Sequence, residues 1–248
     1  MDQTVIALLA AGMLVAAFGY AAVGHGGASA YIAAMALAGI VPSEMRPMAL
    51  VLNILVSSIA TWKFYRAGHF RWWLLWPFAS VSIPLAYVGG AITLPGHAYK
   101  VLVGIVLLYA AWQLWRSARA GDEMRALREP PLAWAMLIGA VMGLLSGLTG
   151  VGGGIFLSPV LLMLGWAGTK QASAVAAPFI LVNSLAGLAA IFVAKTASLP
   201  QYMWVLAAAV VTGGWLGAEY GSRRFANPVV RRVLAVVLAL AGAKMVVV

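Results

Sequence analysis

The sequence contains no cysteine, only three histidines and few charged residues. Without a thiol, the chain has no disulfide framework, no thiolate metal ligand and no cysteine nucleophile. His25, His69 and His97 lie far apart and do not form a metal-binding motif such as HExxH. Charged residues make up 9% of the chain, against about a quarter in an average soluble domain. These absences argue against a soluble protein, a thiol enzyme and a metalloenzyme, and we expect neither a metal site nor a cofactor.

Long apolar runs take the place of the missing polar residues. Hydrophobic side chains make up 64% of the 248 residues. At about 1.5 Å per helical residue, roughly 20 such residues cross the hydrocarbon layer of a membrane. The sequence therefore predicts an all-helical integral membrane protein surrounded by membrane lipid. The apolar segments are residues 4–23, 28–41, 47–65, 71–95, 97–115, 132–149, 154–166, 171–194, 198–221 and 228–247.

Two of these segments are too short to cross a membrane comfortably. Segments 28–41 and 154–166 contain 14 and 13 residues, which is about 20 Å of helix. Each follows a glycine cluster, at residues 24–27 and 150–154. Because a glycine inside a helix costs up to about 1 kcal/mol relative to alanine, we expect a helix to break at each cluster.

The two glycine clusters are part of an internal duplication. A shift of 126 positions superposes four pairs of glycines, and a shift of 130 superposes Asn53 on Asn183. The duplication predicts a first repeat at residues 1–120 and a second at 131–248, joined by a polar linker at 121–130 within one compact membrane domain. The glycine pairs are Gly24 with Gly150, Gly26 with Gly152, Gly27 with Gly153, and Gly39 with Gly165.

The charge distribution predicts how the two repeats lie in the membrane. The net charge of +10 is spread between the apolar segments, which is typical of topology signals and not of a nucleic-acid interface. If each glycine-broken pair enters the membrane and returns to the same face, 12 Lys and Arg residues gather on one side and 4 on the other. Each repeat then has three further crossings, so the repeats are inverted, linker residues 116–130 are cytoplasmic and both termini are outside. Short, tilted spans in place of the re-entrant segments are an open alternative.

The broken segments also predict where a solute binds. Inverted repeats with discontinuous helices are typical of secondary transporters, whose half-helices meet near the middle of the membrane. A half-helix that begins at glycine presents unpaired N–H groups and the positive end of its dipole, and each end stabilises a bound anion by about 0.3–2 kcal/mol. We therefore expect a site for a small anion. Its predicted residues are Gly24, His25, Gly26, Gly27, Ala28, Gly150, Val151, Gly152, Gly153 and Gly154, with side chains from His25, Asn53 and Asn183.

These residues also have structural interpretations. Small residues permit close packing of membrane helices, but packing explains scattered glycines better than the same cluster in both repeats. A phosphate loop or a dinucleotide fingerprint needs a following Lys-Ser/Thr pair or a full GxGxxG, and the clusters have neither. His25 could simply bond a carbonyl, and Asn53 and Asn183 could simply join helices.

The second glycine cluster resembles that of a known family. Residues 147–154 read Gly-Leu-Thr-Gly-Val-Gly-Gly-Gly and are followed by Ser158-Pro159, and a weaker copy surrounds Gly24. With the chain length, this pattern is similar to the TauE/SafE family of sulfite and organosulfonate exporters over nearly the whole chain. The resemblance implies a multi-pass permease for small sulfur-containing anions. The first copy departs from the pattern at His25, Ala28 and Ala33.

We therefore expect a bacterial inner-membrane permease, not an enzyme, that moves a small anion such as sulfite or sulfoacetate by alternating access. An anion channel is the alternative within transport. An intramembrane enzyme is disfavoured because no buried acid is available to orient His25. A proton is a candidate coupling ion, carried by His25 or by the solute itself. No segment indicates a protein partner, and the oligomeric state stays open.

Charged residues and prolines inside the segments have separate interpretations. Arg46 and Lys170 precede the second crossing of each repeat, where a cation either attracts an anion or anchors the helix at the interface. Glu219 lies one turn before Arg223, and we expect an i,i+4 ion pair. The prolines within long segments, Pro84 and Pro178, predict kinks.

Overall fold

A computed structural model describes residues 2–117, 128–194, 199–223 and 228–247. These residues form α-helices and, within these ranges, no strand, which confirms the all-helical prediction. The helices are α1 (Gln3–Ala21), α2 (Ala28–Leu37), α3 (Pro42–Arg66), α4 (Trp72–Ala91), α5 (Gly96–Ser117), α6 (Leu132–Thr149), α7 (Gly154–Met163), α8 (Thr169–Val193), α9 (Met203–Arg223) and α10 (Pro228–Val247).

Five helices in the described ranges are long and apolar enough to cross a membrane. They are α1, α3, α4, α6 and α8, with 18 to 25 residues each. At about 1.5 Å per residue, these lengths approach or exceed the roughly 30 Å hydrocarbon layer. Large apolar side chains point outward, among them Leu8 at 69% and Trp204 at 82% exposure, as expected where lipid is the solvent. The chain is a multi-pass membrane protein.

Both glycine clusters break a helix, as predicted. Helix α1 ends at Ala21 and α2 begins at Ala28, so residues 22–27 form a first break. Helix α6 ends at Thr149 and α7 begins at Gly154, so residues 150–153 form a second break. Glycine adopts left-handed backbone angles readily, whereas residues with a Cβ rarely do. The left-handed glycines of the two breaks are Gly24, Gly27, Gly150, Gly152 and Gly153.

The two repeats agree in length and backbone conformation at several matching places. Helices α2 and α7 both contain ten residues, and α3 and α8 both contain 25. Of the four superposed glycine pairs, the exception is Gly152, which is left-handed while Gly26 is not. The division into repeats at residues 1–120 and 131–248 stays a prediction. The pairs that are left-handed in both copies are Gly24 with Gly150, Gly27 with Gly153, and Gly39 with Gly165.

Two glycine ladders join helices from different repeats. Glycines of α6 spaced four residues apart contact the backbone of α4, and glycines of α9 with the same spacing contact the backbone of α1. A Cβ at any of these six positions would overlap a backbone oxygen of the facing helix or, for Gly221, of Ala22 directly after α1. Residue numbers rise together along each ladder, so both helix pairs are parallel. The contacts are Gly139–Phe78, Gly143–Ser82 and Gly147–Ala86, and Gly213–Leu14, Gly217–Phe18 and Gly221–Ala22.

Helices at corresponding positions of the two repeats run antiparallel. Helix α3 crosses α8, and α5 packs along α10. In both pairs, residue numbers rise along one helix as they fall along the other. Half-helices α2 and α7 pack against α3 and α8, respectively. The contacts that define these directions are Leu50–Gly187 and Asn53–Ser184, and Gly104–Val246 and Leu108–Gly242.

Basic side chains gather at one end of the helix bundle, called here the basic end. Lys63, near the end of α3, forms an ion pair with Glu219 near the end of α9. His69 lies between α3 and α4, where burial lowers its pKa and the charges of Lys170 and Arg71 lower it further. The first turn of α8, which contains Lys170, therefore lies near the loop between α3 and α4.

The predicted linker falls mostly outside the described residues, which end at Ser117 and resume at Arg128. The backbone N–H of Arg128 donates to the carbonyl of Gly165 at 2.9 Å. Because Gly165 precedes α8 by only a few residues, this bond brings the start of the second repeat close to the basic end.

Candidate functional site

The two breaks meet at the side chain of Asn53. Gly26 of the first break faces the Oδ1 atom of Asn53, and Gly152 of the second break faces its Nδ2 atom. A Cβ at either glycine would overlap the amide. The same hypothetical Cβ atoms would lie 3.2 and 2.9 Å from Cγ2 of Ile180. The structure thus brings together both predicted glycine clusters and one predicted asparagine, and the contact depends on the absence of a side chain at both glycines.

Asn53 bonds the second repeat through one half of its amide. It is fully buried in the middle of α3. Its Nδ2 donates to Oγ of Ser184 at 2.9 Å and to the carbonyl of Val151 at 3.4 Å. Its Oδ1, in contrast, is buried and accepts no hydrogen bond from the described residues. Buried polar atoms normally have a hydrogen-bond partner. Oδ1 has none among the described residues, and we call it an open acceptor at the meeting point of the two breaks.

Asn183 does not mirror Asn53. It is also fully buried, but its Nδ2 donates to the carbonyl of Phe179 at 2.8 Å, one turn earlier in its own helix. The second-repeat side chain that Asn53 contacts is Ser184, the next residue. The Oδ1 of Asn183 likewise accepts no bond from the described residues. That the two asparagines line the site from opposite sides stays a prediction. Ser184 lies at the junction and was not among the predicted site residues.

His25 connects the first break to the second repeat. The residue is 9% exposed, and its Nε2 lies 3.0 Å from Oγ of Ser158 in α7. The ring centroid is 6.2 Å from that of Tyr20 in α1. His25 is thus a titratable group within hydrogen-bond distance of the half-helix that begins at the other break.

Both half-helices begin without a side-chain cap. Their N-cap residues, Gly27 and Gly153, have no side chain to accept a bond from the first turn. The amide groups of these first turns therefore carry the positive end of each helix dipole. At the opposite end of α2, Nζ of Lys244 donates to the carbonyls of Ala36 at 2.9 Å and Leu37 at 3.2 Å. This cation stabilises the negative end of α2.

Hydroxyl groups hold the backbone of both breaks in place. In the first break, the Tyr31 hydroxyl donates to the carbonyl of Gly26 at 2.8 Å. In the second, the Tyr99 hydroxyl donates to the carbonyl of Thr149 at 3.1 Å, and the Thr149 hydroxyl accepts from the N–H of Val151 at 3.3 Å. No sequence pattern marks these residues as supports of the breaks: Tyr31 and Thr149 are close to the glycine clusters in sequence, whereas Tyr99 is not.

Arg46 has a role that neither sequence interpretation described. Its guanidinium donates to the carbonyls of Gly89, Gly90, Ile92 and Gly147 at 2.5–3.0 Å. It therefore joins α3 to the C-terminal ends of α4 and α6, where helix carbonyls lack partners within the helix. Arg46 is half-buried, and Glu44 lies two residues before it in the sequence, so the local sequence gives no sign that the guanidinium bonds carbonyls of two other helices.

The predicted pair between Glu219 and Arg223 is confirmed. Oε1 of Glu219 lies 2.6 Å from Nη2 of Arg223, and the carboxylate also pairs with Lys63.

Among the described residues, no three His, Asp or Glu side chains lie close enough together to hold a metal ion. The arrangement at Asn53 is thus an enclosed polar junction that offers main-chain donors and one amide acceptor.

Several known proteins are similar to this chain. A probable membrane transporter protein of Sinorhizobium fredii, y4hK, is 40% identical over 249 residues and covers 99% of both chains. ORF9 of Sinorhizobium sp, also a probable membrane transporter protein, is 28% identical over 80% of this chain and 75% of its own length. MJ0441 of Methanocaldococcus jannaschii, with the same description, is 29% identical over 56% of this chain and 52% of its own length.

No solved structure matches the chain. The family model described as "Sulfite exporter TauE/SafE" matches residues 8–245. This match covers both repeats and both breaks, and it confirms the resemblance seen in the second glycine cluster. The chain belongs to the TauE/SafE sulfite exporter family and is a membrane transporter.

Proposed function

We propose that this protein is a secondary transporter of small sulfur oxyanions, sulfite or an organosulfonate such as sulfoacetate, and that the anion binds at the junction of the two breaks. The main observation in support is that Gly26 and Gly152, from different repeats, both contact the amide of Asn53. Two uncapped helix N-termini begin within two residues of these glycines. A helix N-terminus favours negative charge, and two of them around one point favour it from two sides.

The helix directions support inverted repeats. Corresponding helices, α3 with α8 and α5 with α10, run antiparallel, as they must if the two repeats have opposite orientations in the membrane. Helix α9 runs parallel to α1 along its glycine ladder and parallel to α3, where Val56 contacts Gly214 and Lys63 pairs with Glu219. Helices α1 and α3 therefore point the same way, which supports an α2 that returns to the face from which α1 entered.

The location of the basic residues supports a topology. The described cations of the basic end include Lys63, Arg66, Arg71, Lys170 and Arg223. In our proposal this end faces the cytoplasm of a bacterium, the linker lies there too, and both termini are outside. Lys244, on the last helix, contacts the end of α2 away from the breaks, at the outer face in this orientation.

In the proposed mechanism, the junction opens to each side of the membrane in turn. The six ladder glycines leave smooth backbone faces between helices of different repeats, along which small shifts need little repacking. The transporter names of the relatives accord with a protein that is not an enzyme. A proton carried by His25 is the proposed coupling ion, because this ring joins the first break to α7.

Anion flux into liposomes that contain the purified protein tests this function. Gly152→Val should abolish flux of sulfite, since Gly152 is left-handed and a side chain there would overlap the amide of Asn53. Gly12→Val is the matched control, because a Cβ at Gly12 has no atom within 4 Å. Unchanged flux in a membrane-inserted Gly152→Val variant would refute the site.

Ligand-dependent thermal stabilisation tests the class of solute. Sulfite and sulfoacetate should raise the melting temperature more than sulfate or simple carboxylates of equal concentration. Counterflow of labelled sulfite against unlabelled sulfite should occur in a transporter and be absent in an anion channel, which is the rival function.

A further inference from the structure

The hydrogen bonds of Asn53 favour the amide orientation in which the unpaired atom is the oxygen, an acceptor. Nδ2 donates to Oγ of Ser184 and to the carbonyl of Val151. A flipped amide would place its oxygen against the carbonyl of Val151, which has no hydrogen to donate, so the observed orientation is the favourable one. Oδ1 is therefore the atom that points at Gly26, with no donor from the described residues.

A hydrogen-bond acceptor without a donor, such as Oδ1 of Asn53, is not expected beside a bound anion. The oxygen of an amide carries partial negative charge and repels a ligand oxygen that has no hydrogen. The main-chain N–H groups of the two half-helices can serve the charged part of the ligand, but they do nothing for Oδ1. A ligand that binds here and leaves Oδ1 without a donor keeps the full penalty of burying that oxygen.

We infer that the transported anion also carries a hydrogen-bond donor, a hydroxyl or a protonated oxygen, which Oδ1 of Asn53 accepts. This inference rests on the proposed anion site and narrows its substrate class. It favours hydrogensulfite over the sulfite dianion, and a hydroxyalkanesulfonate over an alkanesulfonate of equal size. Asn53 is then the residue that determines specificity, and the half-helix ends bind the charge common to all candidates.

Two ligands of nearly equal shape separate the contribution of Asn53 Oδ1 from that of the half-helix ends. 2-Hydroxyethanesulfonate and 1-propanesulfonate both carry one sulfonate, and they differ by a hydroxyl in place of a methyl group. Solvation alone favours the propyl compound in an apolar site, because its methyl group gains from burial. Satisfying a buried acceptor that is otherwise unpaired is expected to favour the hydroxyl compound by about 5- to 150-fold in affinity.

The measurement is the affinity of the purified full-length protein for each compound by isothermal titration. We expect 2-hydroxyethanesulfonate to bind at least about 5-fold more tightly. In Asn53→Leu, which removes the acceptor, this preference should disappear, so that 2-hydroxyethanesulfonate no longer binds more tightly than 1-propanesulfonate. Asn53→Ser is the second variant in case the leucine variant does not fold. The relative affinities of the two compounds for the unmodified protein test the need for a donor on the ligand even if neither variant folds.

Each of the other possible binding results contradicts one part of the proposal. If both compounds bind the unmodified protein equally, or the propyl compound binds more tightly, the donor inference is wrong and the anion site stands. If the preference persists in both variants, Asn53 is not the acceptor. If neither compound nor sulfite binds, the proposed function itself fails, and the inference fails with it.

Discussion

Removal of the Arg46 guanidinium should destabilise the protein strongly, even though no ion pair joins this side chain to a carboxylate among the described residues. Arg46→Met keeps much of the apolar stem and removes every donor. Three of the four carbonyls that lose their partner belong to the buried residues Gly89, Gly90 and Gly147. At about 1 kcal/mol for each lost hydrogen bond, these three alone amount to about 3 kcal/mol. For a chain of this size, that corresponds to a fall in melting temperature of about 6–12 °C.

The assay is thermal unfolding of the detergent-solubilised protein, followed by the loss of monodisperse protein or by tryptophan fluorescence. Arg232→Met is the matched control, because Arg232 is exposed on α10. Arg46→Lys should recover only part of the loss, since one ammonium group cannot reach all four carbonyls. A melting temperature for Arg46→Met within about 2 °C of the control would refute the view that this side chain holds α3, α4 and α6 together.

Three further changes test the packing around the breaks. Gly143→Ala or Gly217→Ala should each cost about 1–3 kcal/mol in unfolding measurements, because the added methyl group overlaps the facing backbone, whereas Gly12→Ala should be neutral or stabilising. Lys244→Met should speed amide hydrogen exchange in the last turn of α2 without affecting α7, and equal exchange in this variant and the unmodified protein would contradict the role of Lys244 as a cap. Gly26→Ala should lower the melting temperature, and Asn53→Ala should partly restore it in the double variant, since the clash is with the Asn53 side chain; additive losses would be the opposite result.

The breaks and the segments were predictable because their causes are local. Glycine clusters destabilise a helix wherever they occur, and runs of apolar residues mark helices whatever their neighbours are. The structure accordingly places helix ends at Ala21 and Thr149 and new starts at Ala28 and Gly154. The ion pair of Glu219 with Arg223 was equally local, since both lie on one face of α9.

The partners of Asn53 and Arg46 were not predictable, because both depend on how distant helices cross. The expected equivalence of Asn53 and Asn183 follows the sequence shift, but the crossing of α3 and α8 puts Ser184 opposite Asn53. Arg46 bonds carbonyls that lie between 43 and 101 positions away in the chain. A charge pattern read along one segment contains no information about which helix end will lie beside it.

The glycine ladder between α1 and α9 has a consequence for biosynthesis. Leu14 and its partner Gly213 are about 200 residues apart, and at about 5–20 residues per second a ribosome needs about 10–40 s to make the chain between them. During that time the first helix is already made while the surface that will cover it does not yet exist. The helix that emerges earliest is thus among the last to complete its packing, and nascent chains that stop before α9 leave it without that neighbour.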